Sequence, residues 1–287
     1  MPSTPSTPTP PSTPAAASPP AARDAATTTP GRPEPSAAAA FVSDTLLIFG
    51  RYLRQTVSAR IGLIFGIVQP LLFLILFGPL LRDVPLGGEG DSWQTLVPGL
   101  LVQLGLFSAA FAGFGILIEK QYGVVERMRV TPVSRLALLL GRVLKDIVQM
   151  LVQSVVLVVV GVAFGLRAPL LGVLIAFGFV ALMTASLASL SYALAMRVDS
   201  PQEFAPVVNS VNLPVMLLSG ILLPMSLAPG WLDGISRANP LRYQVQAVRS
   251  AFVGDYGGTV GMGVLTALGL AAVSLVLGVR VFRRAGA

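Results

Sequence analysis

Six apolar stretches dominate the chain, at 61–81, 95–118, 147–165, 168–196, 204–225 and 259–279. Each reaches or approaches the ~20 residues that a helix needs to cross a bilayer. The pattern predicts an all-α integral membrane protein with six transmembrane helices. Ahead of the first stretch, residues 41–58 read differently. Val42, Leu46, Phe49, Leu53 and Val57 recur at helical spacing, while Asp44, Arg51, Gln55 and Ser58 fall on another face. Such a helix lies in the membrane interface rather than across it. It could also be a fraying extension of the first span.

Between the fifth and sixth stretches, 226–255 is too long for a tight turn and too apolar for a free loop. Asn239-Pro240 is a good helix start, with Asn as cap and Pro in the first turn. Pro229-Gly230-Trp231 could open a shorter helix before it. Two short outer helices that re-enter part of the membrane fit this segment, provided that protein covers their ends. Ser134 is a candidate cap for an earlier start of the third span. Residues 1–40, chiefly Pro, Ser, Thr and Ala, are expected to form a disordered tail without a signal-peptide pattern.

Charge sets the orientation. The expected inner flanks carry Arg51, Arg54, Arg60, Lys120, Arg127, Arg129, Arg135, Arg142, Lys145, Arg197, Arg280, Arg283 and Arg284. The outer side has Arg82, Arg167, Arg237, Arg242 and Arg249. Thirteen against five predicts that both termini are cytoplasmic. The net charge of +7 is then mostly topological rather than a sign of nucleic-acid binding.

The composition narrows the chemistry. Of 287 residues, 54% are hydrophobic and 11% charged, with a mean hydropathy of +0.77. There is no cysteine and no histidine. Thiolate, iron–sulfur, imidazole-metal and His-triad chemistry are therefore excluded within this chain. Few acids could lie deep in the membrane, which argues against an ion-coupled secondary transporter. The absence of His and Cys also lowers an enzyme reading, and leaves an Asp- or Ser-based intramembrane hydrolase as an open alternative. Lys120 and Lys145 are the only lysines, and neither follows a phosphate-cradling Gly-x-x-x-x-Gly-Lys-Ser/Thr loop. The chain is expected to have no ATPase activity of its own and no cofactor.

Two groups of residues remain. The island 119–146 holds about a quarter of the charges, and within it Val124, Val125 and Met128 make an apolar ridge beside Glu126, Arg127 and Arg129. Apolar anchors with a charged rim suit a docking helix. Pro132 and Ser134 then lead into span three. Among the spans, Asn209, Asn212, Met216 and Ser219 fall near one face of the fifth, while Gln69 and Gln103 are single polar points in the first two. Lys145, Gln149 and Gln153 share a stripe in the third. These groups glue helices together or line a substrate path or dimer seam, and the two readings are compatible. Gly62-x-x-x-Gly66 and Gly161-x-x-x-Gly165 fit close helix packing.

The island ending Glu126-Arg127-Met128-Arg129-Val130-Thr131-Pro132-Val133-Ser134-Arg135 carries a resemblance. So does 209–249, with its Pro-containing span, Ser219-Gly220, Pro224 and Asn239-Pro240-Leu241-Arg242-Tyr243. Residues 41–284 resemble the permease subunit of a type-2 ABC exporter, nearest the bacterial drug-resistance branch that includes daunorubicin-resistance permeases. The resemblance implies a permease homodimer or pseudo-dimer with two separate ATPase subunits, which bind ATP and Mg. It implies that a coupling helix near 124–130 sits in an ATPase groove, and that spans one, two and five flank the exit path. The expected cargo is an amphipathic drug or natural product, or else a lipid-linked polysaccharide or glycolipid. The expected location is the bacterial cytoplasmic membrane. The outer arginines, Arg242 and Arg249 among them, depart from the positive-inside pattern. They either attract anionic headgroups or stay at the outer interface with Asn239.

Overall fold

A computed structural model describes residues 36–81, 91–123, 134–221, 225 and 228–284. All of them but Ser36 fall in one compact unit, which is helical, and no strand occurs among the described residues. The helices are α1 (Ala37–Ser58), α2 (Arg60–Leu81), α3 (Ser92–Ala110), α4 (Phe114–Gln121), α5 (Arg135–Ala163), α6 (Leu170–Ala195), α7 (Pro201–Ser219), α8 (Gly230–Ser236), α9 (Pro240–Val253) and α10 (Gly258–Arg284). Four stretches among the described residues are long and apolar enough to cross a bilayer: Ser92–Gln121, Arg135–Ala163, Leu170–Ala195 and Gly258–Val281. α2 carries a shorter apolar stretch, Gly66–Leu81, and α7 is interrupted chemically by Pro206, Pro214 and two asparagines.

α3 is the central helix. It packs on α2, α5, α6, α7 and α9, and Leu100, Leu101, Val102, Leu104 and Leu106 are all buried. A capping box starts it: Asp91 accepts from the Ser92 N–H at 2.8 Å, and Gln94 Oε1 accepts from the Asp91 N–H at 3.0 Å. The same Gln94 donates to the Arg167 carbonyl at 2.6 Å, which ties this end to the α5–α6 link.

The second expected span, 95–118, is not one helix. It breaks between α3 and α4 at Phe111-Ala112-Gly113. A break among apolar helices frees main-chain groups that need partners. Ser191 of α6 supplies them: its Oγ donates to the Ala110 carbonyl at 2.6 Å and accepts from the Gly113 N–H at 2.9 Å. The approach requires glycine at 113, because a Cβ there would lie 2.6 Å from the Ser191 carbonyl oxygen and 2.7 Å from the Phe204 ring.

The fifth expected span, 204–225, ends earlier than expected. α7 stops at Ser219 because Gly220 takes a left-handed conformation (φ 75°), a usual C-terminal signal. α8 and α9 are the two short helices expected before the last span. Asn239 caps α9 by accepting from the Leu241 N–H at 3.0 Å. Ser134 caps α5, accepting from the Ala137 N–H at 3.2 Å. Gly165 lies in the turn after α5 (φ +113°), so the second glycine pair is not a helix-packing face.

α1 begins at Ala37, inside the alanine run assigned to the tail, and packs on α5. The face it buries is not the expected stripe. Ile48 and the Thr45 carbonyl press against Gly141, where a Cβ would meet Ile48 at 2.6 Å, and Tyr52 is buried. Val42, Leu46 and Val57 point outward. The helix is apolar on two sides, one for α5 and one left open.

Removal of the Ser191 hydroxyl strands two buried main-chain groups. Ser191→Ala is expected to cost about 1–3 kcal/mol and to lower the thermal midpoint of the purified protein. Ser210→Ala removes only an exposed hydroxyl that bonds the Pro206 carbonyl, and should leave the midpoint nearly unchanged.

Candidate functional site

The two ends of the charged island come together. Glu119, near the end of α4, is paired with Arg142 of α5. Tyr52 of α1 donates its hydroxyl to the same Glu119 oxygen at 3.1 Å, and the Arg142 guanidinium lies over the Tyr52 ring, 4.6 Å from its centre. Burial pushes the Tyr52 hydroxyl up to about 12, so it stays a donor. One turn further along α5, Asp146 accepts from Lys145 and from the Tyr192 hydroxyl of α6. Arg142 and Asp146 are each 5% exposed. Lys120 reaches the α6–α7 link, to the Val198 carbonyl at 3.1 Å and Asp199 at 3.0 Å.

Glu119 is spent on an internal partner rather than left for a docking protein. The proposed docking residues Val124, Val125, Glu126, Arg127, Met128 and Arg129 lie outside the described residues. What the structure places is the base from which that loop leaves: four helices clamped by two ion pairs and two tyrosines.

Beside the clamp is a cleft among α2, α3, α4 and α5. A cavity of about 450 Å³ is lined by Gln69, Gln103, Gln149, Gln153, Lys145 and Asp146, among others. A second, of about 360 Å³, is lined by Glu119, Arg142 and Tyr192. The two share Ala112, Gly115, Lys145 and Gln149. Gly66 makes room for Gln153, since a Cβ at 66 would lie 2.7 Å from its amide nitrogen. Gln69 and Gln103 are thus brought together, and the α5 stripe of Lys145, Gln149 and Gln153 faces them.

The α7 residues are placed elsewhere. Asn212 lines a different groove of about 280 Å³, among Leu106, Leu187 and Val208 on the other side of α3. Its amide nitrogen is buried without a partner among the described residues. Met216 and Ser219 are buried in the helix packing, and Asn209 is exposed. By helical spacing the four lie near one face of α7, but only Asn212, Met216 and Ser219 are covered by neighbouring helices; Asn209, nearer the start of the helix, is left exposed.

In the segment between α7 and α10, Arg242 pairs with Asp233 at 2.6 Å and Arg237 with the same carboxylate at 2.9 Å. Hydrogen bonds from Arg242 and then Arg237 hold that carboxyl below its ordinary value. Asn239 donates to the Val215 carbonyl at 2.9 Å, joining α9 to α7. Arg249 donates to the Thr95 carbonyl at 3.3 Å and the Ile221 carbonyl at 3.1 Å. These arginines are structural ties in addition to surface charges.

Tyr52, Glu119 and Tyr192 were missed as a set by sequence reasoning. A tyrosine on each flanking helix, near an acid–base island, was the available signal. Among the described residues no group of His, Cys, Asp and Glu could hold a metal ion.

The profile described as "ABC-2 type transporter" matches residues 44–253, from α1 through α9. A protein of Cyanophora paradoxa named as a transport permease, ycf38, is 29% identical over 214 residues, 73% of this chain and 74% of that protein. The daunorubicin resistance ABC transporter permease protein DrrB1 of Streptomyces coeruleorubidus is 28% identical over 263 residues, covering 88% and 91%. A Mycobacterium tuberculosis permease protein, DrrC, named for doxorubicin resistance, is 27% identical over 263 residues, covering 89% and 94%.

The clamp makes a measurable claim. Arg142→Met leaves the half-buried Glu119 without its cation and is expected to destabilise by about 1–3 kcal/mol. Adding Glu119→Gln should recover most of that loss. A double-mutant cycle on thermal midpoints checks it, and additive losses would disprove the pairing.

Proposed function

The chain belongs to the ABC-2 type transporter family, and from that premise we propose that it is the membrane subunit of an ATP-driven exporter, with an amphipathic drug or natural product as cargo. The observation that carries the cargo is the similarity to permeases named for daunorubicin and doxorubicin resistance over nearly nine-tenths of the chain. A second reading within the same class is export of a glycolipid or lipid-linked polysaccharide. It draws on the amide-lined cleft, which suits a polyhydroxylated head.

In this reading ATP and Mg bind a separate ATPase subunit, and two copies of the permease assemble with two ATPases. The six membrane crossings are α2, α3 with α4, α5, α6, α7 and α10. Both termini face the cytoplasm of a bacterial cell, α1 lies in the interface, and α8 and α9 dip in from outside. α2, α3 and α7 form the seam between copies, with Asn209 outward on α7. The coupling helix is Val124–Arg129, its apolar ridge seated in the ATPase and its charges at the rim. The clamp at Glu119 and Arg142 supports that role, because it makes the foot of the loop rigid. A push on the loop is then delivered to α5 rather than absorbed.

Two experiments test the reading. Co-expression with the ATPase, with drug efflux and complex yield measured together, should show that Glu126→Arg or Arg127→Glu uncouples transport or weakens the complex while the helices still insert. Normal yield and normal efflux in both reversals would reduce the island to a topology signal. Because the chain has no cysteine, single cysteines at Glu89 and Arg127 report sidedness directly. Labelling of Arg127→Cys by an impermeant reagent from outside would overturn the topology.

A further inference from the structure

The cleft beside the clamp has features that helix packing does not require. Gln103 is 3% exposed, and its Oε1 has no hydrogen-bond partner among the described residues. A buried amide oxygen left unmatched costs free energy unless something else donates to it. Gln69 at the mouth and Gln149 on the facing helix line the same space. Leu104, Phe107 and Phe111 give it an apolar wall. At about 450 Å³ the space falls in the range of sites that enclose small molecules, roughly 300–1,000 Å³.

Charge decides the ligand class. The charged side chains that line the two joined cavities are Arg142 with Glu119 and Lys145 with Asp146, and each is already paired. A charged head would give up its water and find no spare counter-charge. An uncharged head that bears hydroxyls or carbonyls exchanges water for amides at little cost.

We propose that the cleft among α2, α3, α4 and α5 binds an uncharged amphiphile, its hydroxyl- or carbonyl-bearing head read by Gln69, Gln103 and Gln149 and its apolar part laid along Leu104, Phe107 and Phe111. The site is built within one copy of the chain. The proposal deepens the exporter reading and rests on it for its biological meaning, but binding itself needs no ATPase.

Gly115 gives a clean way to close the site. It lines both cavities, and a Cβ built there meets nothing within 4 Å. A side chain added at 115 therefore starts without a Cβ clash, and a leucine there is expected to narrow the cleft. Gly269 of α10 is equally open but lies away from the cleft, and serves as the control.

The probe is dodecyl maltoside with a diazirine in its chain, photolysed with the full-length permease in phosphatidylcholine nanodiscs, and the labelled peptides are mapped by mass spectrometry. Labelling is expected on peptides containing Phe107 and Gln149. It should fall about tenfold in Gly115→Leu, stay unchanged in Gly269→Leu, and fall about fivefold in Gln103→Leu, the equivalent of one lost hydrogen bond. Unlabelled dodecyl maltoside should compete, whereas laurate and dodecyltrimethylammonium should not. Competition by a monoglucosyl diacylglycerol as well would assign the ligand to the bilayer; its failure would assign it to single-chain amphiphiles. Absence of label from these peptides, persistence of label in Gly115→Leu, or equal competition by the charged amphiphiles would overturn the proposal. Binding without ATP-driven export would sink the exporter reading alone, and export without binding would sink only this one.

Discussion

The interaction on which the arrangement turns is the Glu119–Arg142 pair. It closes the base of the longest charged segment and joins α4 to α5 where both meet α1. Among apolar helices a charge persists only with a partner and with hydrogen bonds on its remaining donors. Arg142 meets that demand with the Glu119 carboxylate on one side and the Tyr52 ring on the other. Asp146, one turn on, meets it with Lys145 and Tyr192. The result is a neutral, desolvated node where α1, α4, α5 and α6 converge. Without it, α1 would keep its packing on Gly141 but lose the polar contact that fixes its direction.

The same rule governs the main chain. α3 and α4 would be one helix were it not for the break at Phe111–Gly113, and the break persists because Ser191 meets both freed groups. Its consequence is geometric. The turn redirects α4 so that Glu119 can face Arg142 and Lys120 can reach Asp199. It also puts Gly115 at the boundary between the two cavities. One hydroxyl on α6 thus influences the shape of a cleft on the far side of α3.

Much of this was legible in the residues. Apolar run length marked the four stretches long and apolar enough to cross a bilayer, and the caps at Ser134 and Asn239 were readable because capping is local chemistry. The amides at 69, 103, 149 and 153 stood out because few polar groups interrupt those runs. Three things were not legible. The break in the second span depends on a serine some 80 residues away, beyond any local pattern. The exposure of Asn209 depends on which neighbours cover α7 at its level, and helical spacing gives the face of a residue but not what packs against it. The side of α1 that meets α5, with Thr45, Ile48 and Tyr52, was not anticipated, because the apolar stripe with Val42, Leu46 and Val57 marks the side left open. Contact with α5 is set by fit to Gly141 and by the Tyr52 hydroxyl, not by hydrophobicity.

The placement of the node against the cleft bears on how a driven permease could work. Lys145 and Gln149 belong to both cavities, and Asp146 adjoins them. α5 runs unbroken from its Ser134 cap through this stretch to Ala163. A rigid helix transmits a displacement along its length, whereas a hinge would absorb it. The opposite wall of the same cleft carries the break at Phe111–Gly113, which Ser191 holds in place. In the proposed coupling, a push on the loop would move the α5 wall of this cleft relative to the wall that carries the break. Because the ion pairs at the node are internal and balanced, that change need not expose or bury net charge, which keeps its electrostatic cost low.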